Sequence, residues 1–316
     1  MKLGGVLAAD GLQTRLDAPL LWTLLGGGTL LFVFVMVLLA RAVLGPARPV
    51  RAGWWLVGGG LVLPAVVLLP LAAASLHELI AQRTPAPADA LLVGVSARPW
   101  WWQLRVPGPP GEPEIVAANE LVLPVGRPVR LALASESLIH SLWVPALAGK
   151  MDLVPGRITH LQLQAERPGR WRGPCAEFCG SGHTQMVLDV VALAPADYAR
   201  WLAAQAAPAR APVTQRQQRG LQHFMAERCQ HCHTVRGVAQ SVMGHAGPGD
   251  ESGGPDLTHL ASRRWLGAGT LPNNAAGLRQ WLRDAPRLKP GTRMPSYEHL
   301  DDATLDALVD YLGQLQ

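Results

Sequence analysis

Hydrophobic and polar positions follow three rhythms along this chain, and each predicts a different kind of element. Leu20 to Ala40 and Trp54 to Leu76 contain no charged residue. At about 1.5 Å of rise per residue, each run is long enough as a helix to cross a hydrocarbon core of about 30 Å. Two buried helices of a soluble core are the alternative, although uncharged runs of this length suit a bilayer better. The expected anchor is a two-helix transmembrane hairpin at about 20–44 and 54–80, with Met1 to Pro19 as an outer tail or a cleaved segment. Thr84 to Ala88 reads Thr-Pro-Ala-Pro-Ala, a stiff exit from the membrane. Short Val-, Leu- and Trp-rich runs follow at Ala90–Val95, Trp100–Val106, Glu120–Leu123, Val129–Ala134, Ile158–Gln164 and Met186–Leu193. Gly and Pro punctuate them, which predicts an all-β sandwich or barrel. A short helix is expected over Tyr198–Ala207, capped by Pro195-Ala-Asp197, and Pro208–Gln218 reads as a linker. From about Arg219 the spacing turns helical, at Gly220–Arg228, Gly277–Asp284 and Ala303–Leu315, with Asp301 and Asp302 suited to a helix N-terminus. Arg236–Gly254 is Gly-rich and predicts a surface loop. The division expected is 1–84 for tail and membrane helices, 85–200 for the β domain, 201–218 for the linker and 219–316 for an all-α domain.

Charge orients this multidomain membrane protein. The loop between the apolar runs holds Arg41, Arg48 and Arg51 and no acid. The positive-inside rule puts that loop in the cytoplasm, and the N-terminus and everything after the second helix on the other side. The chain is 49% hydrophobic and only 16% charged, with a net charge of +5. Residues 215–316 carry 11 Lys and Arg against 10 Asp and Glu, so no basic stripe for nucleic acid is present.

All four cysteines fall in two short motifs. The first is Cys175-Ala-Glu-Phe-Cys179-Gly-Ser-Gly-His183-Thr-Gln-Met186. Two soft thiolates, an imidazole and a thioether within a dozen residues suit copper, with His140 as the candidate second imidazole. A zinc site of Cys, Cys and His and a Cys175–Cys179 disulfide are the alternatives. The second motif, Cys229-Gln-His-Cys232-His233, is the signature of covalent haem c attachment. Its thiols add to the haem vinyls and His233 becomes the proximal ligand. A thioredoxin-like motif would need a βαβ setting, which the pattern lacks. An opposite axial ligand should be Met or His. Met225 reads as core and Met243 as part of the loop. His223, His231, His245, His259 and His299 read as solvated.

The first motif, preceded by His140-Ser-Leu-Trp-Val-Pro145, resembles subunit II of the haem–copper cytochrome c oxidases. Gly149-Lys-Met-Asp152 and the two apolar runs match as well, so the resemblance spans roughly residues 12–200. It implies a Greek-key cupredoxin domain with a dinuclear CuA centre. Cys175 and Cys179 would bridge the coppers, His140 and His183 would terminate them, Met186 would be the weak ligand and Glu177 would lend its backbone carbonyl. The Glu177 side chain would face a Mg²⁺ site shared with the catalytic subunit. Trp100-Trp101-Trp102 resembles the aromatic patch where electrons arrive, with Trp100 in the receiving position. As strand residues, Trp100 and Trp102 would share one face, and Trp102 is read as core. Many relatives carry a glutamate early in the second membrane helix, where this chain has Val57, so proton uptake through this subunit is unsupported. The C-terminal part resembles class I cytochromes c. Gly291-Thr-Arg-Met294-Pro295 fits their Met-Pro loop, which makes Met294 the axial ligand opposite His233, and Gly254-Pro-Asp-Leu257 fits a supporting turn.

The two resemblances together imply the electron-transfer subunit of a caa-type oxidase in a bacterial cytoplasmic membrane, multi-pass, with both centres in the periplasm. Electrons would pass from a donor such as a cytochrome c or a quinol–cytochrome c reductase to haem c, then to copper, then to catalytic subunit I, alongside the other oxidase subunits. None of the ten histidines is expected inside either membrane span, so no oxygen-reducing site is expected in this chain. A nitrous oxide reductase relative would need a large His-rich catalytic domain. A membrane-anchored copper-delivery protein would need no haem.

Overall fold

The computed structural model describes residues 8–46, 49–82, 87–243 and 253–316. Arg48, His245 and most of the Thr84–Ala88 exit lie outside them. Two compact units result, residues 15–87 and the remainder of the chain.

In the first unit, helix α1 runs over Leu12–Leu44. It starts eight residues before the uncharged run, so Leu12–Pro19 is helix and not tail. A second helix opens with widened turns over Trp54–Val62, where the Leu63 N–H reaches back to the Gly58 carbonyl, and continues as α2, Leu63–Gln82. Three successive glycines, Gly58 to Gly60, lie within that stretch. Both helices are long and apolar enough to cross a membrane, at Leu12–Leu44 and Trp54–His77, and neither apolar stretch is buried by protein. The second reaches one residue past the uncharged run and takes in His77, which corrects the expectation of membrane spans free of histidine. One imidazole at a helix end still builds no oxygen-reducing site.

The second unit opens with a β-sandwich. One sheet has the order β3-β2-β1-β5-β8, from Ile115–Ala118, Trp101–Val106, Leu91–Arg98, Val129–Ser135 and Thr159–Leu163. The other has the order β4-β10-β9, from Glu120–Pro124, Val187–Leu193 and Gly169–Pro174. β6 (His140–Trp143) and β7 (Lys150–Leu153) form a separate ribbon. β1 runs parallel to β5 and β4 parallel to β10, the other pairs being antiparallel. Alternation drives the assembly. Val129, Leu131 and Leu133 of β5 point into the core while Arg130 and Ala132 between them are half-buried. Each such fully buried side chain contributes about 1.5–3 kcal/mol. Trp102 is fully buried, as expected for core. Residues 10–12 are not a free tail: Asp10 and Gly11 donate to the Ala146 carbonyl, Leu12 to Gln164, and Asp10 pairs with Arg167 at 2.6 Å.

Helix α3 (Pro195–Ala206) follows β10, with Pro195 in its first turn and Asp197 inside it. It therefore starts three residues before the expected Tyr198, because proline suits a first helical turn that needs no N–H. Helix α4 begins at Gln215, set by a reciprocal cap between Thr214 and Gln217. The segment between α3 and α4 is thus 207–214, and residues 201–206 and 215–218 of the expected linker are helical. The C-terminal domain comprises α4 (Gln215–Ala226), a two-residue β11–β12 ladder (Trp265–Leu266 with Leu271–Pro272), α5 (Ala275–Leu288) and α6 (Asp302–Leu312). Its core gathers Phe224, Leu278, Leu282, Leu305, Leu308, Tyr311 and Leu315. α4 and α6 cross at Gly220, where a Cβ would lie 2.0 Å from the Ala307 carbonyl oxygen, so only glycine permits this approach. Asp301 caps α6 by accepting from the Thr304 N–H at 2.7 Å.

Candidate functional site

Three loops at one end of the sandwich bring the first motif together. His140 opens β6 and is 1% exposed. Cys175 follows β9, where its N–H donates to the Met186 carbonyl (2.9 Å) and the Ala176 N–H to the Ser141 carbonyl (3.0 Å). These two bonds tie the ligand loop to both neighbouring segments. A single turn over His183–Gln185 closes the loop. The donors then alternate. His140 Nδ1 stands 3.8 Å from Cys175 Sγ, the two Sγ atoms are 3.9 Å apart, and Cys179 Sγ is 3.6 Å from His183 Nδ1. Donor atoms of His140, Cys175 and Cys179 all lie within 4.8 Å of one another. Two central sulfurs with one imidazole outside each is an arrangement a pair of soft metal ions fits. Both thiols are free, so the disulfide is not formed. The Cys179 thiol hydrogen-bonds to Cys175 and holds its thiolate well below the ordinary range, against the opposing effect of burial. Bonding to Cys175, then burial, pushes Cys179 up. The pair thus holds a first negative charge readily and a second only with a cation present.

Met186 is fully buried beside this cluster, in the sandwich core. The Glu177 carbonyl lies 3.3 Å from Cys175 Sγ. Its side chain is exposed, and among the described residues it belongs to no further group of metal-ligating side chains, so a Mg²⁺ site finds no support here.

Trp100 corrects the strand reading. Its φ is +62°, it precedes β2, and the turn removes it from the alternation that would have set it beside Trp102. Its indole Nε1 instead donates to the Cys179 carbonyl at 2.9 Å. The ring lies against the glycine loop of the copper motif, where a Cβ on Gly182 would come within 2.2 Å of it.

In the C-terminal domain, Cys229, Cys232, His233 and Met294 line one cavity of about 340 Å³, with Leu282 and Leu308 on its wall and Trp100 and Trp101 at its edge. His233 Nδ1 is 2.7 Å from the Pro255 carbonyl oxygen. A carbonyl can only accept, so Nδ1 carries the proton and Nε2 keeps its lone pair for a metal. The Gly254-Pro-Asp-Leu257 turn is thus an orienting device for His233. Burial lowers the basicity of His233 and pushes the Cys229 thiol up to about 11, unlike a redox dithiol whose thiolate must be accessible. These residues fit a covalently held haem. Met225 is exposed and not core. The Met243 sulfur lies 3.6 Å from Cys232 Sγ, closer to the motif than its loop position implied. His259 is buried, its Nε2 3.0 Å from the Ala207 carbonyl oxygen, and so is not solvated.

Lys289 escaped the sequence reading. It ends α5 and is 4% exposed. Burial pushes its ammonium down to about 7. A lysine at a helix C-terminus is usually a solvated dipole partner, and nothing local marks this one as buried. Arg263, on the cavity wall, donates to the Asp256 carbonyl at 2.6 Å and was missed for the same reason.

Comparison with known proteins adds the following. The family model described as cytochrome c oxidase subunit II, periplasmic domain, matches residues 110–193, and that of cytochrome c matches 217–316. A cytochrome c oxidase subunit 2 of Alkalihalophilus pseudofirmus is 33% identical over 242 residues, covering 75% of this chain and 66% of that protein. One of Bacillus sp. (strain PS3) is 28% identical over 235 residues, covering 72% and 63%. The chain thus spans just under two thirds of these relatives. Among solved structures, the periplasmic domain of subunit II of a Bradyrhizobium japonicum cytochrome oxidase aligns at 25% identity, with a TM-score of 0.35 over 38% of this chain and 96% of that one.

Proposed function

The chain belongs to the cytochrome c oxidase subunit II family and carries a cytochrome c domain at its C-terminal end, and on that premise we propose that it relays electrons from a donor through haem c to a dinuclear CuA centre and on to a catalytic subunit that reduces oxygen. It acts as one subunit of an oxidoreductase complex. The observation that carries this reading is Trp100, hydrogen-bonded to the Cys179 carbonyl and lining the haem cavity, so that one ring adjoins both candidate centres.

Cys175, Cys179, His140, His183, Met186 and the Glu177 carbonyl would hold the coppers, and Trp100 would connect the pair to the haem side. Cys229 and Cys232 would attach the haem, and His233 and Met294 would hold its iron. When bound, these groups supply one-electron chemistry. The chain's residues hold them still. The Pro255 carbonyl fixes the His233 tautomer, and the sandwich core closes over Met186. Fusion replaces a diffusional encounter between haem and copper with a high effective concentration. The two apolar helices make a multi-pass anchor in a bacterial cytoplasmic membrane, with the N-terminus and residues 85–200 and 219–316 periplasmic and 201–218 joining them. The donor is a cytochrome c or a quinol–cytochrome c reductase.

An EPR spectrum of the full chain, matured with haem and loaded with copper, tests the assignment. One electron shared by two copper nuclei, beside a low-spin haem signal, is expected. A single-copper pattern points to delivery, and a silent site that retains zinc points to the zinc alternative of Cys, Cys and His. For the haem, Met294→Ala should admit exogenous ligands such as cyanide or imidazole. A spectrum unchanged by them would assign the axial position to another residue.

A further inference from the structure

We propose that Lys289 is a positioning residue for electron transfer, a buried clamp that seats the haem domain on the copper loop and fixes the Trp100 indole between them. The inference rests on the electron-transfer reading above.

The Lys289 Nζ donates to three backbone carbonyls, Trp100 at 2.7 Å and Gln185 and Gly267 at 2.8 Å. Three acceptors match the three N–H bonds of an ammonium. Each comes from a different segment, and each segment leads to a functional part. Trp100 sends its own indole N–H to the Cys179 carbonyl. Gln185 precedes Met186. Gly267 lines the haem cavity. Two partners therefore belong to the β domain and one to the domain that holds Lys289.

Burying a cation is costly unless its donors are all satisfied, and an apolar residue would fill the space without that cost. What a cation adds is direction: it binds only if all three carbonyls keep their places. The surrounding contacts are equally specific. Gln185 Nε2 donates to the Leu288 carbonyl at 2.7 Å, and the Val187 N–H to Ala268 at 3.0 Å. The Arg172 guanidinium lies 5.0 Å from the Trp265 ring centre. Two residues beyond Lys289, a Cβ on Gly291 would come within 2.4 Å of the Trp100 ring, so that ring is gripped between the Gly180–Gly182 loop and Gly291. The clamp and the grip act on the same tryptophan.

The test uses the assembled oxidase containing the full chain. Haem c is reduced in a flash and the copper absorption followed. In Lys289→Met, transfer from haem c to copper should slow by about tenfold or more, since misplacement by about 1 Å can cost 10²-fold in a positioned reaction. The haem spectrum, the copper EPR signal and both reduction potentials should stay as in the wild type, which a general loss of folding would not allow. Lys289→Arg, which keeps a cation and several donors, should recover most of the rate. If the methionine variant fails to assemble both centres, Lys289→Gln, which keeps an N–H donor on a shorter stem, is read the same way. A wild-type transfer rate in a variant holding both centres overturns the clamp alone. If the wild type itself shows no transfer from haem c to copper, the functional reading fails and the clamp falls with it.

Discussion

Serine in place of Cys175 is expected to leave a folded chain that attaches haem but holds no coupled copper pair. Cys175 is the inner member of the donor chain, 3.8 Å from His140 and 3.9 Å from Cys179. A serine hydroxyl is hard, stays protonated and cannot bridge two soft ions. The backbone bonds from Cys175 to Met186 and from Ala176 to Ser141 do not involve the sulfur, so the loop should keep its shape. Removing a group that merely supports a ligand costs about 10–100-fold in affinity or activity, and loss of a bridging ligand should exceed that. Oxygen uptake driven through haem c should fall below about a hundredth of the wild-type value, while haem c remains reducible. Steady-state oxygen consumption with parallel EPR measures both. A dinuclear copper signal surviving in the serine variant would remove Cys175 from the ligand set.

Loss of the haem should unfold the C-terminal domain and spare the sandwich. The haem cavity of about 340 Å³ lies within the core that Phe224, Leu282, Leu308 and Leu312 build. At roughly 24 cal/mol per Å³, leaving it empty costs at most about 8 kcal/mol. Whole domains are stable by about 5–15 kcal/mol, so a small domain at the lower end of that range has little or nothing left without the haem. The sandwich has its own separate core, from Val93 through Leu131 to Val190. The double variant Cys229→Ala with Cys232→Ala, produced as the full chain, should therefore lose most helical signal from 215–316 and become protease-sensitive there. The β domain should persist as a resistant fragment. An apo C-terminal domain that melts as cooperatively, and as hot, as the haem-bound one would refute the cavity argument.

What could be read from the chain depended on how local each signal is. The two long apolar helices were legible because runs of about twenty uncharged residues have few other uses, although their ends were not: Leu12–Pro19 is helical despite its mixed polarity. Strands β1, β2, β4, β5, β8 and β10 showed themselves through alternating or Val-rich runs. β3, β6, β7 and β9 did not: three of them hold charged or polar residues at positions that pairing alone makes extended, and β3 is only four residues long. Among the described residues, the all-α reading of the C-terminal domain missed a ladder of two residues per strand and an isolated bridge between Val235 and Ala239. Both cysteine motifs were visible because metal and haem ligation impose spacing within one loop.

The sequence by itself determined the membrane anchor, the change from strand to helix near residue 200, and the residue types gathered at both candidate centres. These are local properties: hydrophobic length, periodicity, and ligands a few residues apart. Tertiary structure alone decided how the two centres meet. Trp100 read as a strand residue, yet a positive φ turns it onto the Cys179 carbonyl, 79 residues away. Lys289 read as nothing in particular, yet its ammonium is bonded to carbonyls of residues 22, 104 and 189 positions away. His259 read as solvated, yet the chain leaving α3 folds over it. The physical reason is the same in each case. A side chain's burial and its distant partners depend on which segments pack against it, and no local pattern of residues encodes that packing.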